Sequence, residues 1–445
     1  MAFPWILAAN ASNRVMTVGT QVLVGFLLVP DQVGTFAVAA ALSGMASPFQ
    51  SADHARLALQ DPVSARATAA VLRNWLLIGS GTAALVAFSA AYFLHLAVAL
   101  APLACLALLS LLRVLANVRV VLLSHAGRSG AIAIAGACEG NARSLTLVGT
   151  ALLGAGMWSL VFGEVAAVAT STILLDRMDH GPGRGTLCLP RWVLKNLAAT
   201  IGICLLVGVE LNCSAFAIGQ FCDTHSVGSF AFANRIANQL TLLVLPLVAC
   251  ETIPRLLAAK ATRAAFTATS RREIRRMGLI IAILVLPLVL IGPTAMGLVW
   301  GTRWAQAADM LRWLAISIGF RLAYVMAKAH LEAFGAFHVI LLLSILDTAL
   351  ILLVAIGAGM TGGALTVVQA LMCESAVIFA VATLAVRQRL RLAYGAHAPS
   401  PETGTVAQAV LHEQPESGQG APEMVVTSSH LAGEATPLLE GTACP

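Results

Sequence analysis

Charge is scarce in this chain. Asp, Glu, Lys and Arg together make up 11% of its 445 residues, while 58% are hydrophobic and mean hydropathy is +0.85. So little charge excludes an ordinary soluble domain, whose surface is about a quarter charged residues. Other absences narrow the field. There is no G-x-x-x-x-G-K-[ST] loop, so the chain does not hydrolyse ATP by that route. The nine cysteines form no C-x-x-C pair, and Cys105, Cys138, Cys204, Cys213 and Cys373 sit in apolar stretches, where they read as packing residues and not as disulfide or zinc ligands. The alternating pattern of a membrane β-barrel is missing as well.

What is present is hydrophobic length. A bilayer span needs about 20 mostly apolar residues. Twelve such stretches run approximately over 5–29, 33–50, 74–95, 98–123, 130–153, 156–176, 193–219, 227–249, 277–299, 307–329, 337–359 and 361–385. In hydrocarbon the backbone must satisfy its own hydrogen bonds, so these predict helices and an all-α integral membrane protein. With a cytoplasmic N-terminus and alternating spans, 20 of the 27 Lys and Arg fall on inward-facing segments, and Arg303 alone falls on an outward loop. That bias follows the positive-inside rule and predicts two cytoplasmic termini. The net charge of +6 is therefore a topology signal, with no footprint for nucleic acid. The first span lacks a basic n-region and is expected to be a retained helix.

A seven-residue phrase occurs twice. Val33-Gly34-Thr35-Phe36-Ala37-Val38-Ala39 returns 194 positions later as Val227-Gly228-Ser229-Phe230-Ala231-Phe232-Ala233. At a shift of 208, Arg113 falls on Arg321, Gly127 on Gly335 and Glu139 on Asp347. The change of offset implies an insertion of 14 residues, expected in the basic loop 250–276. Equivalent spans differ by six, an even number, so the repeat is parallel and its axis lies along the membrane normal. The expected architecture is two six-helix lobes, 1–178 and 193–386, around a central cavity and joined by a cytoplasmic linker, 179–192. Residues 394–445 hold Pro, Gly, Ser, Thr and six Glu but no Lys or Arg, and read as a disordered cytoplasmic tail.

Eleven charged residues lie inside spans: Arg14, Arg113, Arg143, Arg235, Arg312, Arg321, Glu139, Glu164, Glu210, Asp347 and Glu374. Each costs about 2.5–3.5 kcal/mol near a span centre, so each must pair, face water or bind something charged. Glu139 and Arg143 are spaced to neutralise each other on one helix face. Arg312 can snorkel to the interface. Arg113 and Arg321 lie in the inward half, within reach of either the cavity or the cytoplasmic surface. Asp347 and Glu374 are near mid-membrane, placed for a cavity or coupling role or for an arginine of their own lobe. Arg14 and Arg235 are deep, come one from each lobe, and have no acid at i±3 or i±4. Two unpaired guanidiniums suit a phosphorylated cargo, because the planar fork donates two parallel hydrogen bonds.

The segment Val227 to Asn238, with Ala233-Asn234-Arg235-Ile236-Ala237-Asn238, and the following Ile253-Pro254-Arg255-Leu256 resemble span eight of the polysaccharide and lipid-linked oligosaccharide flippases, of the multidrug/oligosaccharidyl-lipid/polysaccharide exporter superfamily. Three further stretches fit that pattern: Pro30-Asp31-Gln32-Val33-Gly34-Thr35-Phe36, Gly154-Ala155-Gly156-Met157-Trp158-Ser159-Leu160-Val161 and Gly301-Thr302-Arg303-Trp304-Ala305-Gln306-Ala307-Ala308-Asp309-Met310-Leu311. The resemblance spans about 1–390. It implies a flippase in the bacterial inner membrane that carries a polyprenyl-diphosphate-linked saccharide by alternating access. Arg14 and Arg235 match arginines of its cationic cavity. Membrane lipids and polysaccharide polymerase or export machinery are the partners it implies, with no metal or other cofactor. Span two lacks the arginine of some lipid II flippases, and the N-terminus has no basic residues before span one. An efflux antiporter on the same fold, with Glu139 and Glu164 as coupling acids, is one alternative. A polysaccharide-assembly enzyme is another, but every outward loop is short, the longest being about 220–226, and no catalytic residue is expected.

Overall fold

The computed structural model describes residues 3–45, 65–94, 96–178, 191–260 and 262–395; the side chains of residues 3–12, Arg14 and 191–200 are among those outside the description. Helices α1 (Phe3–Leu27), α2 (Pro30–Met45), α3 (Ala65–Phe93), α4 (Ala97–His125), α5 (Ser129–Leu152) and α6 (Trp158–Met178) form the first half. The second half begins with α7 (Arg191–Phe221) and α8 (Thr224–Leu247), which continues through a π-helical turn, Val248–Thr252, into the short α9 (Ile253–Ala259). The ninth span is split into α10 (Arg263–Leu290) and α11 (Gly292–Trp300), and α12 (Ala305–Ala333), α13 (Phe337–Thr361) and α14 (Ala364–Gly395) complete the bundle. All the described secondary structure is helical, as the composition predicts.

Among the described residues, seven helical stretches are long and apolar enough to cross a bilayer: 66–93, 99–124, 158–178, 204–221, 292–333, 337–361 and 364–394. Helices α5 and α8, both long enough to span, are not in that set, and both line the central cavity described below. A helix that faces an aqueous cavity can carry polar side chains that lipid would reject. Their low hydropathy therefore reports what they surround.

The duplication is visible in the packing. Helix α1 packs on α5 as α7 packs on α13, α3 on α4 as α10 on α12, and α2 on α4 as α8 on α12. The loop after α4 and the loop after α12 are the same turn. Gly127 and Gly335 both have φ of 69°, and the following residues, Arg128 and Ala336, have φ, ψ of −86°, 48° and −83°, 48°. Both glycines take the left-handed conformation that ends a helix without a Cβ clash.

The two copies of the repeated phrase meet each other, start to start. A Cβ at Gly34 would run into the carbonyl oxygen of Thr224, and one at Gly228 into that of Pro30. Each would also lie 2.9 Å from the other glycine's amide nitrogen. Positions 30 and 224 differ by 194, as do 34 and 228, so the two clashes are images of one another. Only glycine allows helices to cross so closely. Beside the crossing, Thr224 Oγ1 donates to Asp31 Oδ1 at 3.0 Å, and His225 Nδ1 is 3.7 Å from Asp31 Oδ2. Asp223 caps α8, accepting from the Ser226 amide at 3.2 Å. The Trp300 and Trp304 indoles donate to the carbonyls of Val22 and Gly25 near the end of α1, at 3.0 and 2.9 Å. These contacts close one end of the bundle across the two halves.

At the other end, Glu251 in the π-turn meets Arg276 at 2.5 Å and Arg255 at 3.2 Å, and the buried Glu273 meets Arg255 at 2.9 Å. The Arg276 hydrogen bond holds the Glu251 carboxyl below its usual range. The ring lies within 250–276, where the sequence predicts a loop with an insertion; that stretch is helical over most of its length, with Arg255 on α9 and Glu273 and Arg276 on α10. The matching segment of the first half falls in 46–64, outside the described residues, as do the linker from 179 to 190 and the tail from 396.

Candidate functional site: a cationic cavity between the halves

The helices with polar faces enclose a cavity of about 510 Å³. Asn13, Thr17, Thr20 and Gln21 come from α1, Glu139 and Arg143 from α5, Glu164 from α6, and Arg235 and Gln239 from α8. A second cavity of about 260 Å³ shares Phe36, Arg143, Glu164 and Arg235 with the first and adds Ser43, Ser110 and Arg113. Three guanidiniums thus line two neighbouring cavities that share four residues.

Local sequence explains this placement. On α5, Gly136, Glu139, Gly140 and Arg143 recur every three or four residues, which puts them on one helix face. Gly140 leaves room for the Asn13 side chain, which a Cβ there would displace. On α8, Arg235 lies seven residues beyond Gly228, about 10 Å along the axis from the glycine crossing.

The charges are unevenly matched. Glu164 Oε2 accepts from Arg113 at 2.5 Å and from Arg143 at 3.2 Å, and Glu139 lies 3.5 Å from Arg143. Arg235 has no acid within ion-pair distance among the described residues, and its guanidinium takes part in no hydrogen bond there. The Arg143 Nε, Asn13 Oδ1 and Gln21 Oε1 are buried and unpartnered. Two carboxylates thus face three guanidiniums, so the cavity carries a net positive charge and vacant donors and acceptors.

The second half holds a cluster of different character. Arg321 donates to Glu210 at 2.7 Å and Glu374 at 3.2 Å, with Asp347 at 3.9 Å. Ser375 Oγ adds a bond to Glu374 at 3.3 Å and packs against Ser317. The Asp347 and Glu374 side chains are 0% exposed, against 33% for Glu139 and 19% for Glu164. Among the described residues no group of three His, Cys, Asp or Glu side chains is arranged for a metal. The three acids converge on a guanidinium instead.

Of the residues singled out in the sequence, Arg235, Arg113 and Glu139 come together at the cavity. Arg321, Asp347 and Glu374 come together with one another, in a cluster that lines neither cavity. The Arg113 guanidinium is held by Glu164, and the Arg321 guanidinium by Glu210 and Glu374, each a carboxylate of its own half. Arg14 lies on α1 between the cavity residues Asn13 and Thr17, and its side chain is outside the description. The sequence reading gave Arg143 only to Glu139 and offered Glu164 only as a coupling acid. The repeat held the missing signal: Arg113 to Arg321 is a shift of 208 and Glu164 to Glu374 one of 210, so the pairs Arg113–Glu164 and Arg321–Glu374 are counterparts.

Known proteins agree with this architecture. The chain is similar in structure to a multidrug resistance MATE family transporter of the MOP superfamily in its inward-facing conformation, with a TM-score of 0.68 at 16% identity, over 87% of this chain and 96% of that one. It is similar to the lipid II flippase MurJ in an inward closed conformation, with a TM-score of 0.66 at 12% identity, over 91% and 95%. A MOP superfamily transporter from Pyrococcus furiosus matches with a TM-score of 0.51 at 17% identity, over 88% and 93%. At these identities the likeness shows the fold. A sequence search of curated proteins found no match. The protein-family model described as "Polysaccharide biosynthesis protein" matches residues 23–309, more than half the chain and every helix from α2 to α11. The chain belongs to that polysaccharide biosynthesis family, on a MOP-superfamily transporter fold.

Proposed function

We propose that this protein is a flippase that moves a polyprenyl-diphosphate-linked saccharide across the bacterial inner membrane by alternating access. The observation that carries the reading is the Arg235 guanidinium, which faces the cavity with no acid partner beside Arg113 and Arg143. An uncompensated cation at membrane depth is costly unless an anion meets it, and a diphosphate offers two bidentate acceptors. Arg14, one turn from the cavity residue Thr17, is assigned to the same anion. The unpartnered Asn13 Oδ1 and Gln21 Oε1 suit sugar hydroxyls, and the polyprenyl tail stays in lipid.

The lobes, 1–178 and 193–386, would rock about the axis that passes between Gly34 and Gly228. With both termini cytoplasmic, that crossing and the Trp300 and Trp304 contacts form the outer closure, and the ring around Glu251 lies on the cytoplasmic side. The chain itself performs no chemistry on the cargo in this reading; a polymerase or exporter would take the product outside. Efflux of cationic drugs is disfavoured by the positive cavity.

The test is deletion followed by complementation. Lipid-linked saccharide is expected to accumulate on the cytoplasmic leaflet, with relief by the wild-type chain and none by Arg14→Ala or Arg235→Ala at equal membrane levels. Normal surface glycan from both variants contradicts the assignment.

A further inference from the structure

One carboxylate oxygen binds both of the cavity's paired arginines. Glu164 Oε2 holds Arg113 at 2.5 Å from α4 and Arg143 at 3.2 Å from α5, while α8 brings Arg235 to the same space. Glu139, on α5, is the other charged group facing the set. A carboxylate oxygen bridging two guanidiniums presents the same acceptor chemistry as one phosphate oxygen.

We propose that Glu164 is an internal stand-in for the cargo's phosphate: it occupies Arg113 and Arg143 while the cavity is empty and yields them to the diphosphate when cargo enters. The proposal rests on the lipid-diphosphate reading above and deepens it by enlarging the anion site to Arg113, Arg143 and Arg235. Three observations support it. First, Glu164 lines both cavities, so an incoming anion reaches the atoms it holds. Second, Arg143 Nε is buried and unpartnered, so the carboxylate leaves one donor of that fork unused, which a larger anion can take. Third, the counterpart pair shows what a permanent bond looks like here: Glu374 is wholly buried on Arg321 and has a second anchor in Ser375. Glu164 is 19% exposed and, among the described residues, is held by the two arginines alone, with no hydroxyl anchor of that kind.

Exchange of one anion for another makes binding cheap in electrostatic terms. The arginines are never left bare in the membrane, and the cargo does not have to compensate for stripping water from free guanidiniums. It also selects against weaker anions, because any ligand must outcompete a tethered carboxylate.

The experiment is binding of inorganic pyrophosphate to the purified full-length protein in detergent, read by titration calorimetry and by melting temperature. Glu164→Gln, which removes the competing charge, is expected to bind at least about tenfold tighter than wild type, the size of one charge-assisted hydrogen bond. Arg235→Ala is expected to bind more weakly. Should Glu164→Gln fail to fold, Glu164→Asp retracts the charge by one methylene and is expected to bind tighter by a smaller factor. Unchanged or weaker binding in folded Glu164 variants, with Arg235→Ala still impaired, overturns the role of Glu164 and leaves the lipid-diphosphate reading standing. Failure of wild type and every folded variant to bind pyrophosphate overturns that reading itself.

Discussion

Two ion clusters occupy corresponding places in the two halves. In the first, Arg113, Arg143, Glu139 and Glu164 border the cavities, and a third arginine arrives from α8 without an acid partner. In the second, Glu210, Asp347 and Glu374 close on Arg321, with two of the three acids wholly shielded. The pairs Arg113–Glu164 and Arg321–Glu374 sit on corresponding helices, α4 and α6 against α12 and α14, yet one borders a cavity and the other is sealed. The difference teaches where each half spends its charge: in the second it fixes helices to one another, and in the first it remains available to a ligand.

The sharpest way to break the comparison is to remove the central arginine of each cluster. Arg321→Ala would leave three carboxylates buried without a cation, and breaking such a buried pair costs about 3–5 kcal/mol. Loss of monodisperse protein and a large drop in melting temperature are expected. Arg113→Ala removes a partner from a site that water reaches, and the protein is expected to stay folded while losing transport. Equal destabilisation by both would mean that the first cluster is as structural as the second.

A smaller effect is expected where the halves touch. Gly34→Ala and Gly228→Ala each place a Cβ against a backbone carbonyl of the other half. Both are expected to weaken this closed end by similar amounts, since the clashes are images of one another. Cysteine cross-linking between the starts of α2 and α8 reads the result, and a strong effect from one glycine alone would show that the axis does not pass between them.

The smallest effect concerns the ring that joins the π-helical turn and α9 to α10. The Glu251 carboxyl is held below its usual value by Arg276. A depressed carboxylate stabilises the fold above its unfolded value of 4.5, and that contribution is lost as pH falls through the lower folded value. The melting temperatures of wild type and Glu251→Gln should therefore differ at neutral pH and converge as the pH falls through the depressed folded value. A difference that persists there would assign the role to packing.

Much of this architecture could be read from the residues. Hydrophobic length gave the helices, and the doubled Val-Gly-x-Phe-Ala-x-Ala phrase gave the parallel repeat. Gly127 falls on Gly335 in the repeat, and the two glycines occupy the same left-handed turn. The site was legible only in part. Arg235 stood out because it has no acid nearby in sequence, but its neighbours Arg113 and Glu164 are 51 residues apart and meet only through packing. Local spacing revealed the Glu139–Arg143 pair and hid the stronger claim of Glu164 on the same guanidinium. Nor could sequence tell which cluster would be sealed, because exposure depends on which helix faces turn toward the axis.

The most direct test of the central claim is translocation of a fluorescent polyprenyl-diphosphate saccharide in proteoliposomes, scored by quenching from outside, for Arg235→Ala beside the conservative second-half variant Glu374→Gln. The account predicts that Arg235→Ala, folded and inserted, loses translocation while Glu374→Gln retains it wherever it folds. Full translocation by Arg235→Ala would contradict it.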